Sequence, residues 1–331
     1  MYIAKKQRYE TMSYRQVGRS GLKLSAISLG LWHNFGEVDT LSQQKEIITS
    51  AFDLGITHMD LANNYGPPAG SAETNFGRIL KEELISYRDE LVISSKAGYR
   101  MWEGPYGDWG SKKSLVASCN QSLQRTGLEY FDIFYHHRPD YDTPLEETAQ
   151  ALDLLVRQGK TLYVGVSNYD ALRTQAISEI FNELGTPFII HQPRYNLLNR
   201  WIEEGLTTVL TKEGLGAITF SPLAQGVLTN RYLHGIPKDS RANRSDSPFL
   251  STDQVENKAE VVRKLNAVAQ NRNQTLAEMA LAWNLRQKVV ASVLVGASRV
   301  SQLEDNVRTL ANLAFTEDEL VLIDKILASQ A

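Results

Sequence analysis

Four residues of this sequence combine types and spacing suited to giving a proton to a carbonyl oxygen. The stretch HMDLANNYG, His58 to Gly66, brings Asp60 to the end of an apolar, strand-like run and Tyr65 into the polar turn that follows. Lys96 lies in SSKAG and His137 in FYHHRPD. Asp is a poor strand former and is rarely buried unless its charge is compensated. A lysine at the same depth compensates it, because an isolated buried charge is very costly. For the pair alone, a purely structural salt bridge explains the residues as well as a functional one. Tyr65 changes the balance. A phenol of pKa about 10 is a weak acid, and a neighbouring ammonium is expected to stabilise the phenolate and lower that value. In this reading Asp60 orients Lys96, Lys96 tunes Tyr65, and Tyr65 gives a proton to a carbonyl oxygen gaining charge. His137 donates a hydrogen bond to the same oxygen.

Those residues must be delivered by elements that bring their tips together. Apolar, β-rich runs at 26–32, 58–63, 91–98, 131–137, 161–168, 188–193, 216–222 and 292–297 alternate with longer stretches of helical period. Several of the helical stretches close on glycine, as helices commonly do. Apolar strands separated by helices argue for a parallel sheet covered on both faces. Eight such units predict a (β/α)8 TIM barrel, α/β in class, as a single domain over residues 1–331. A doubly wound sheet would bring a Gly-rich turn after its first strand, and AISLGLWHNFG has no G-x-G-x-x-G. YRQVGRSGLKLS reads as an N-terminal β-hairpin. TEDELVLIDKILA opens with Thr316 in capping-box spacing to Glu319 and predicts an extra C-terminal helix. The stretch from about 225 to 254 is too long for a plain connector and reads as a lid or binding loop. In such barrels chemistry sits at the C-terminal ends of the strands. Asp60, Lys96 and His137 then fall on consecutive strand tips, spaced by roughly 4.8 Å, with Tyr65 just above.

Composition narrows the partners. The chain has 331 residues, a formal charge of −3, 42% hydrophobic and 22% charged residues. No basic stripe points to nucleic acid, and RANR at Arg241 to Arg244 is too short for a basic tail. The single cysteine, Cys119, excludes an internal disulfide and reads as a buried structural thiol on an amphipathic helix. MYIAKKQRYE lacks the apolar core of a signal peptide, and no apolar run reaches membrane-spanning length. A cytoplasmic enzyme acting on a small molecule, with no membrane partner, is the expectation.

DLANNYG, SSKAG and FYHHRPD resemble the Asp-Tyr-Lys-His tetrad of the aldo-keto reductases, and the resemblance extends over nearly the whole chain. GLWHNFG and NNYGPPAGSAE are similar to the bacterial branch related to potassium-channel β subunits, which includes L-glyceraldehyde 3-phosphate reductases. The resemblance implies Tyr65 as general acid, Asp60 and Lys96 as its tuning pair and His137 as the substrate-orienting donor. It implies NADPH, oxidised to NADP+, as hydride source, bound extended across the barrel top. Ser167, Asn168 and Gln192 match positions that hydrogen-bond the carboxamide. Phe220, which read alone is a core residue, matches the ring that stacks on the nicotinamide. Ser221, Pro222, Leu223, Gln225 and Gly226 match the segment that follows the pyrophosphate. Arg231 and Arg241 fall in the cofactor-covering stretch, where relatives usually carry Gly-Lys in place of Asn230-Arg231. Gly296, Ser298, Arg299, Gln302, Asp305 and Asn306 open the eighth helix. A helix N-terminus favours an anion, and an arginine suits a 2′-phosphate better than a bare ribose. A capped surface helix with one solvated arginine is the alternative there. Many relatives carry Glu at the position of Asp305. Trp32, Trp102, Tyr65 and His137 form the expected substrate pocket. Trp32 carries a family match, whereas for Trp102, in the aromatic loop YRMWEGPYGDWG, half-buried loop packing explains the residue equally well.

The implied activity is reduction of aldehydes or ketones, with short aldehydes such as L-glyceraldehyde 3-phosphate or methylglyoxal as substrates and a homotetramer or homo-octamer as the assembly. The rival is an NADP(H)-binding regulatory subunit with little turnover. Against it, His137 stands where the channel subunits carry Asn, and the lead before the hairpin is short for an inactivation segment. His136 and His137 do not read as a metal site, since adjacent strand residues point to opposite faces.

Overall fold

Side chains alternating between two apolar layers explain how short strands build a closed barrel. A computed structural model describes residues 2–238, 240–243 and 250–329. The chain opens with an antiparallel hairpin, β1 (Tyr14–Gln16) and β2 (Lys23–Ser25). Eight parallel strands follow: β3 (Ile27–Gly30), β4 (His58–Asp60), β5 (Val92–Ala97), β6 (Phe131–His136), β7 (Thr161–Ser167), β8 (Phe188–Gln192), β9 (Gly216–Thr219) and β10 (Val290–Val295). They pair in chain order, and β10 pairs with β3 to close the ring. The expected (β/α)8 barrel, hairpin and C-terminal helix are all present. The strands stop short of several expected ends: β9 ends at Thr219, and Pro222 lies beyond it.

The helices follow the strands: α1 (Leu41–Asp53), α2 (Ser71–Ile79), α3 (Lys112–Thr126), α4 (Leu145–Arg157), α5 (Ala171–Leu184) and α6 (Leu206–Glu213) each succeed one of β3 to β8. After β9 come α7 (Thr252–Glu256), α8 (Ala259–Asn271) and α9 (Leu276–Leu285); α10 (Val300–Arg308) and α11 (Glu317–Ala328) complete the chain. Their boundaries are chemical. The side chains of Thr40, Ser251, Thr275 and Thr316 each accept from a backbone N–H three residues on in a reciprocal capping box. Gly127, Gly185 and Gly214 end α3, α5 and α6 with φ of 70°, 68° and 70°, where a side chain would be strained. The expected loop at about 225–254 contains short 3₁₀ turns at Asn230–Tyr232 and Arg241–Asn243 and the start of α7; residues 239 and 244–249 of that stretch lie outside the described residues. Among the described residues, no helix is long and apolar enough to cross a membrane.

Two apolar layers hold the barrel. Outward residues such as Ile27, Leu29, Met59, Ile93 and Phe134 pack under the helices, where Cys119 is also buried. Inside, Ile133, Tyr135, Ile190 and Ile218 meet Val17 and Leu24 of the hairpin, which plugs one mouth. Gly165 makes room there: a Cβ on it would lie 2.5 Å from the Tyr135 ring. The other half of the interior is polar, lined by Ser28, His58, Asp60, Ser94, Lys96 and Ser292, all fully buried. The strand alternation that predicts Asp60 facing inward also turns His58, two residues earlier, the same way.

Burial disfavours the charged imidazole, so His58 and His191 are held down to about 4 and His136 to about 3. An unfolded chain binds protons at these histidines near pH 6.5, whereas the folded one does not until near pH 4. The unfolded state therefore binds more protons in that window, and stability must fall as pH drops through it. Chemical denaturation at a series of pH values should show each of the three contributing a loss of up to ~1.4 kcal/mol per pH unit below 6.5, with none above it. A stability constant between pH 6.5 and 4 would contradict their burial as neutral groups.

Candidate active site

Asp60 ends β4 and Lys96 sits on β5, both with no exposed surface. The register pairs Asp60 with Ser94 and Lys96 with Tyr135, so both side chains enter the barrel near its C-terminal mouth. The loop after β4 is stitched to β5 by Leu61 N–H to the Ser94 carbonyl at 2.8 Å and Asn63 N–H to the Lys96 carbonyl at 2.9 Å. A tight turn, Tyr65 N–H to the Ala62 carbonyl at 3.0 Å, then aims the tyrosine back over the lysine.

Lys96 Nζ donates to Asp60 Oδ2 at 2.6 Å, the Leu61 carbonyl at 2.6 Å and Tyr65 Oη at 3.2 Å. An ammonium has three protons and no lone pair, so these contacts use its whole capacity. Tyr65 Oη must accept from Lys96, which leaves the phenol's own proton for another group. Asp60 Oδ1 accepts from Ser94 Oγ at 2.8 Å and from Gln192 Nε2 at 3.0 Å. His137, just past β6, turns its ring edge-on to Tyr65, with centroids 5.9 Å apart, and is buried. Its Nδ1 has no protein partner among the described residues. His136 points elsewhere, with Nδ1 2.7 Å from the Tyr169 hydroxyl. The four expected tetrad residues are thus brought together.

The electrostatics correct the expectation for Tyr65. Its phenol is raised well above the ordinary value, by burial first and then by the charge of Asp60 and by Tyr99. Burial and the charge of Asp60 together outweigh the lysine's hold on the phenolate. Burial also pulls the lysine's own value down, against the opposing pull of Asp60. His137 is held well below the ordinary imidazole value by burial, then by Lys96, His136 and Arg138. At neutral pH the site therefore presents a protonated phenol and a neutral imidazole with one N–H.

The other expected residues divide. Ser167, Asn168 and Gln192 cluster beside the tetrad: Ser167 Oγ donates to the Gln192 carbonyl at 2.7 Å, and Asn168 Nδ2 donates to the His137 carbonyl at 3.1 Å. Gln192 is tied to Asp60 through its amide nitrogen, a bond the sequence did not indicate. The half-buried Phe220 packs against the inner barrel layer. Beyond it, Ser221, Ala224 and Gln225 all take positive φ, of 51°, 49° and 61°, and turn the chain through Pro222, Leu223 and Gly226. Such non-glycine strain concentrates at ligand clamps. Arg231 is exposed, and the side chain of Arg241 lies outside the described residues. Gly296, Ser298 and Arg299 are exposed ahead of α10, with Arg299 at its N-cap position. Gln302 Oε1 accepts from Ser298 N–H at 2.8 Å and closes that turn. Asn306 is buried in the second turn, and Asp305 pairs with Arg308.

In the expected pocket, Trp32 lies 6.4 Å from the Tyr65 ring and packs, tilted, against the His33 ring at 4.0 Å. Trp102 makes no ring contact with the tetrad among the described residues; Tyr99 does, 4.6 Å from the His137 ring. Arg138 sits over both Tyr99 at 4.3 Å and Trp109 at 3.6 Å, and its Nη2 donates to Asp108 at 2.8 Å. It anchors the aromatic loop to the strand end that carries His137. Sequence reasoning missed Tyr99, Arg138 and His33; each adjoins a motif residue, which is the signal that could have found them.

A profile of the Aldo/keto reductase family matches residues 26–328. The chain is 56% identical over 335 aligned residues to the L-glyceraldehyde 3-phosphate reductase of Escherichia coli O157:H7, covering 99% of this chain and 96% of that protein. It is 35% identical to a probable voltage-gated potassium channel subunit beta of Arabidopsis thaliana, covering 95% of each. The solved holo form of aldo-keto reductase AKR11C1 from Bacillus halodurans shares the fold with a TM-score of 0.75 and 25% identity, over 95% of this chain and 96% of that one.

The buried pair makes a stability prediction. Asp60→Asn strands a buried ammonium and should cost ~3–5 kcal/mol, as breaking such a pair does. Lys96→Met should melt above Asp60→Asn, because Ser94 and Gln192 still hold the carboxylate. The double variant, with neither charge, should recover much of the loss. Thermal melts of all three proteins measure the coupling; simple additivity would mean that the two charges are not each other's compensation.

Proposed function

We propose that this chain, which belongs to the aldo/keto reductase family, reduces short aldehydes and ketones to alcohols with NADPH, Tyr65 supplying the proton. It is an oxidoreductase. The observation that carries the proton assignment is Lys96 donating to Tyr65 Oη at 3.2 Å while anchored to Asp60 at 2.6 Å. The substrate oxygen gains charge as the carbonyl carbon is reduced, and Tyr65 O–H transfers its proton to that oxygen. Lys96 already donates to the phenol oxygen and stabilises the phenolate as it forms. His137, neutral, donates its N–H to the substrate oxygen and orients it. Trp32 and the Arg138-anchored loop wall the pocket.

The residues present fit a dinucleotide. Ser167, Asn168 and Gln192 would hold the carboxamide, Phe220 would stack on the nicotinamide, and the strained Ser221–Gly226 turn would follow the pyrophosphate. Arg299, with Ser298 and Gln302 at the start of α10, would take the 2′-phosphate, and Asp305 and Asn306 the adenine. When bound, NADPH supplies the hydride. Family likeness also supports a cytoplasmic homotetramer or homo-octamer, with L-glyceraldehyde 3-phosphate or methylglyoxal as the first aldehydes to try. The 35% likeness to a channel subunit supports the second reading, a nucleotide-binding regulatory protein. His137 and the 56% identity to a reductase favour turnover.

Replacing Tyr65 by Phe removes the proton and little volume. NADPH oxidation with short aldehydes should fall roughly 100-fold or more while NADPH affinity stays at the wild-type value. Wild-type turnover in that variant would end the assignment, and cofactor binding with negligible turnover in the native protein would favour the regulatory reading. For the cofactor, Arg299→Ala should weaken NADPH by ~1.5–3 kcal/mol, as for a hydrogen bond to a charged group, and leave NADH unchanged. Fluorescence titration with both cofactors decides this, and equal losses would place the arginine elsewhere.

A further inference from the structure

The polar half of the barrel continues below the tetrad as one unbroken line of contacts. Ser94 Oγ, which donates to Asp60 Oδ1 at 2.8 Å, lies 2.9 Å from His58 Nε2. His58 Nδ1 lies 2.9 Å from Ser28 Oγ, which in turn is 2.6 Å from Ser292 Oγ. Ser28, His58, Ser94 and Ser292 have no exposed surface, and the proposed proton transfer uses none of them.

One negative charge determines the sense of every bond in the line. An ionised carboxylate only accepts, so the single proton of Ser94 goes to Asp60. Ser94 Oγ then accepts from His58 Nε2–H. A neutral imidazole has one N–H, so Nδ1 offers a lone pair and takes the proton of Ser28. With that proton used, Ser28 Oγ accepts from Ser292. His58 is neutral on independent grounds: burial, with a further push from Lys96 and against the pull of Asp60, holds it down to about 4.

We infer that Ser292, Ser28, His58 and Ser94 form a positioning chain that fixes the Asp60 carboxylate so that its second oxygen keeps Lys96 against Tyr65. This rests on the reading of Tyr65 as the proton donor. All the dipoles run toward the carboxylate, and chained donors polarise one another in a low-dielectric interior. With Gln192 holding the same oxygen from the opposite wall, Asp60 is clamped from two sides. A core that merely fills space would need neither the common direction nor the imidazole.

Two measurements on the full-length protein test this. The first needs no turnover. Long-range ¹H–¹⁵N spectra of histidine-labelled protein, with the His58 signals identified by their absence in His58→Asn, should show the neutral Nε2–H form unchanged from about pH 6 to 8. The Nδ1–H form, or titration within that range, would overturn the chain. The second compares Ser94→Ala, Ser28→Ala, their double variant and Ser94→Thr. Ser94→Ala should lower kcat roughly 10-fold with KM and NADPH affinity unchanged, and Ser94→Thr should restore it. The double variant should be no slower than Ser94→Ala, because the chain acts through Ser94. A lowered melting temperature with unchanged kcat, or additive losses, would overturn the inference. Tyr65→Phe assayed alongside separates the cases: loss in Tyr65→Phe with none in Ser94→Ala defeats only the chain. Wild-type turnover in Tyr65→Phe defeats both.

Discussion

The structure depends on a lysine ammonium with no access to water. Lys96 faces into the barrel, and an unpaired charge there would outweigh much of a domain's net stability. Three acceptors must therefore reach it, and each comes from a different feature of the chain: a carboxylate on the tip of β4, a main-chain carbonyl just beyond, and a phenol on the loop. To supply all three, the chain leaving β4 has to fold back at once, and its bonds to Ser94 and Lys96 of β5 hold it there. Satisfying the lysine and placing the proposed proton donor are the same construction.

The same neutralisation decides the resting state. Burial and the charge of Asp60 hold the Tyr65 phenol protonated, and burial first, then Lys96, keeps His137 uncharged. In the proposed reaction, charge arises only when a substrate oxygen draws the phenol's proton, and the Lys96 contact is already in place when it does. Donors fixed before charge develops need no reorganisation, which is the usual source of large electrostatic stabilisation.

Much of this was legible from residues alone. Eight apolar runs separated by helical periods predict the barrel, and Asp60, Lys96 and His137 on successive strand ends predict the cluster. The direction of the Tyr65 shift is not legible in the sequence, because spacing shows a lysine and a carboxylate nearby but not how completely the phenol is buried. The sequence marks Gln192 as a ligand group, yet its amide also holds Asp60 across the barrel; contacts between β4 and β8 have no local signature. Trp102 and Tyr99 share one loop, and only its three-dimensional course shows that Tyr99 meets His137. His58 stands two residues before Asp60, where strand alternation already places it inward. Its bonding needed Ser28 and Ser94, from strands distant in sequence.

If Asp60 neutralises Lys96, a protonated Tyr65 and a neutral His137 meet the substrate. The pH dependence of kcat for reduction of a short aldehyde at saturating NADPH decides this. With the phenol raised and the imidazole lowered, the rate should be flat from roughly pH 6 to 9. A midpoint inside that window would contradict it: near 6.5 it would mean His137 titrates as an ordinary imidazole, and near 8 that Lys96 acts as a free cation and ionises the phenol.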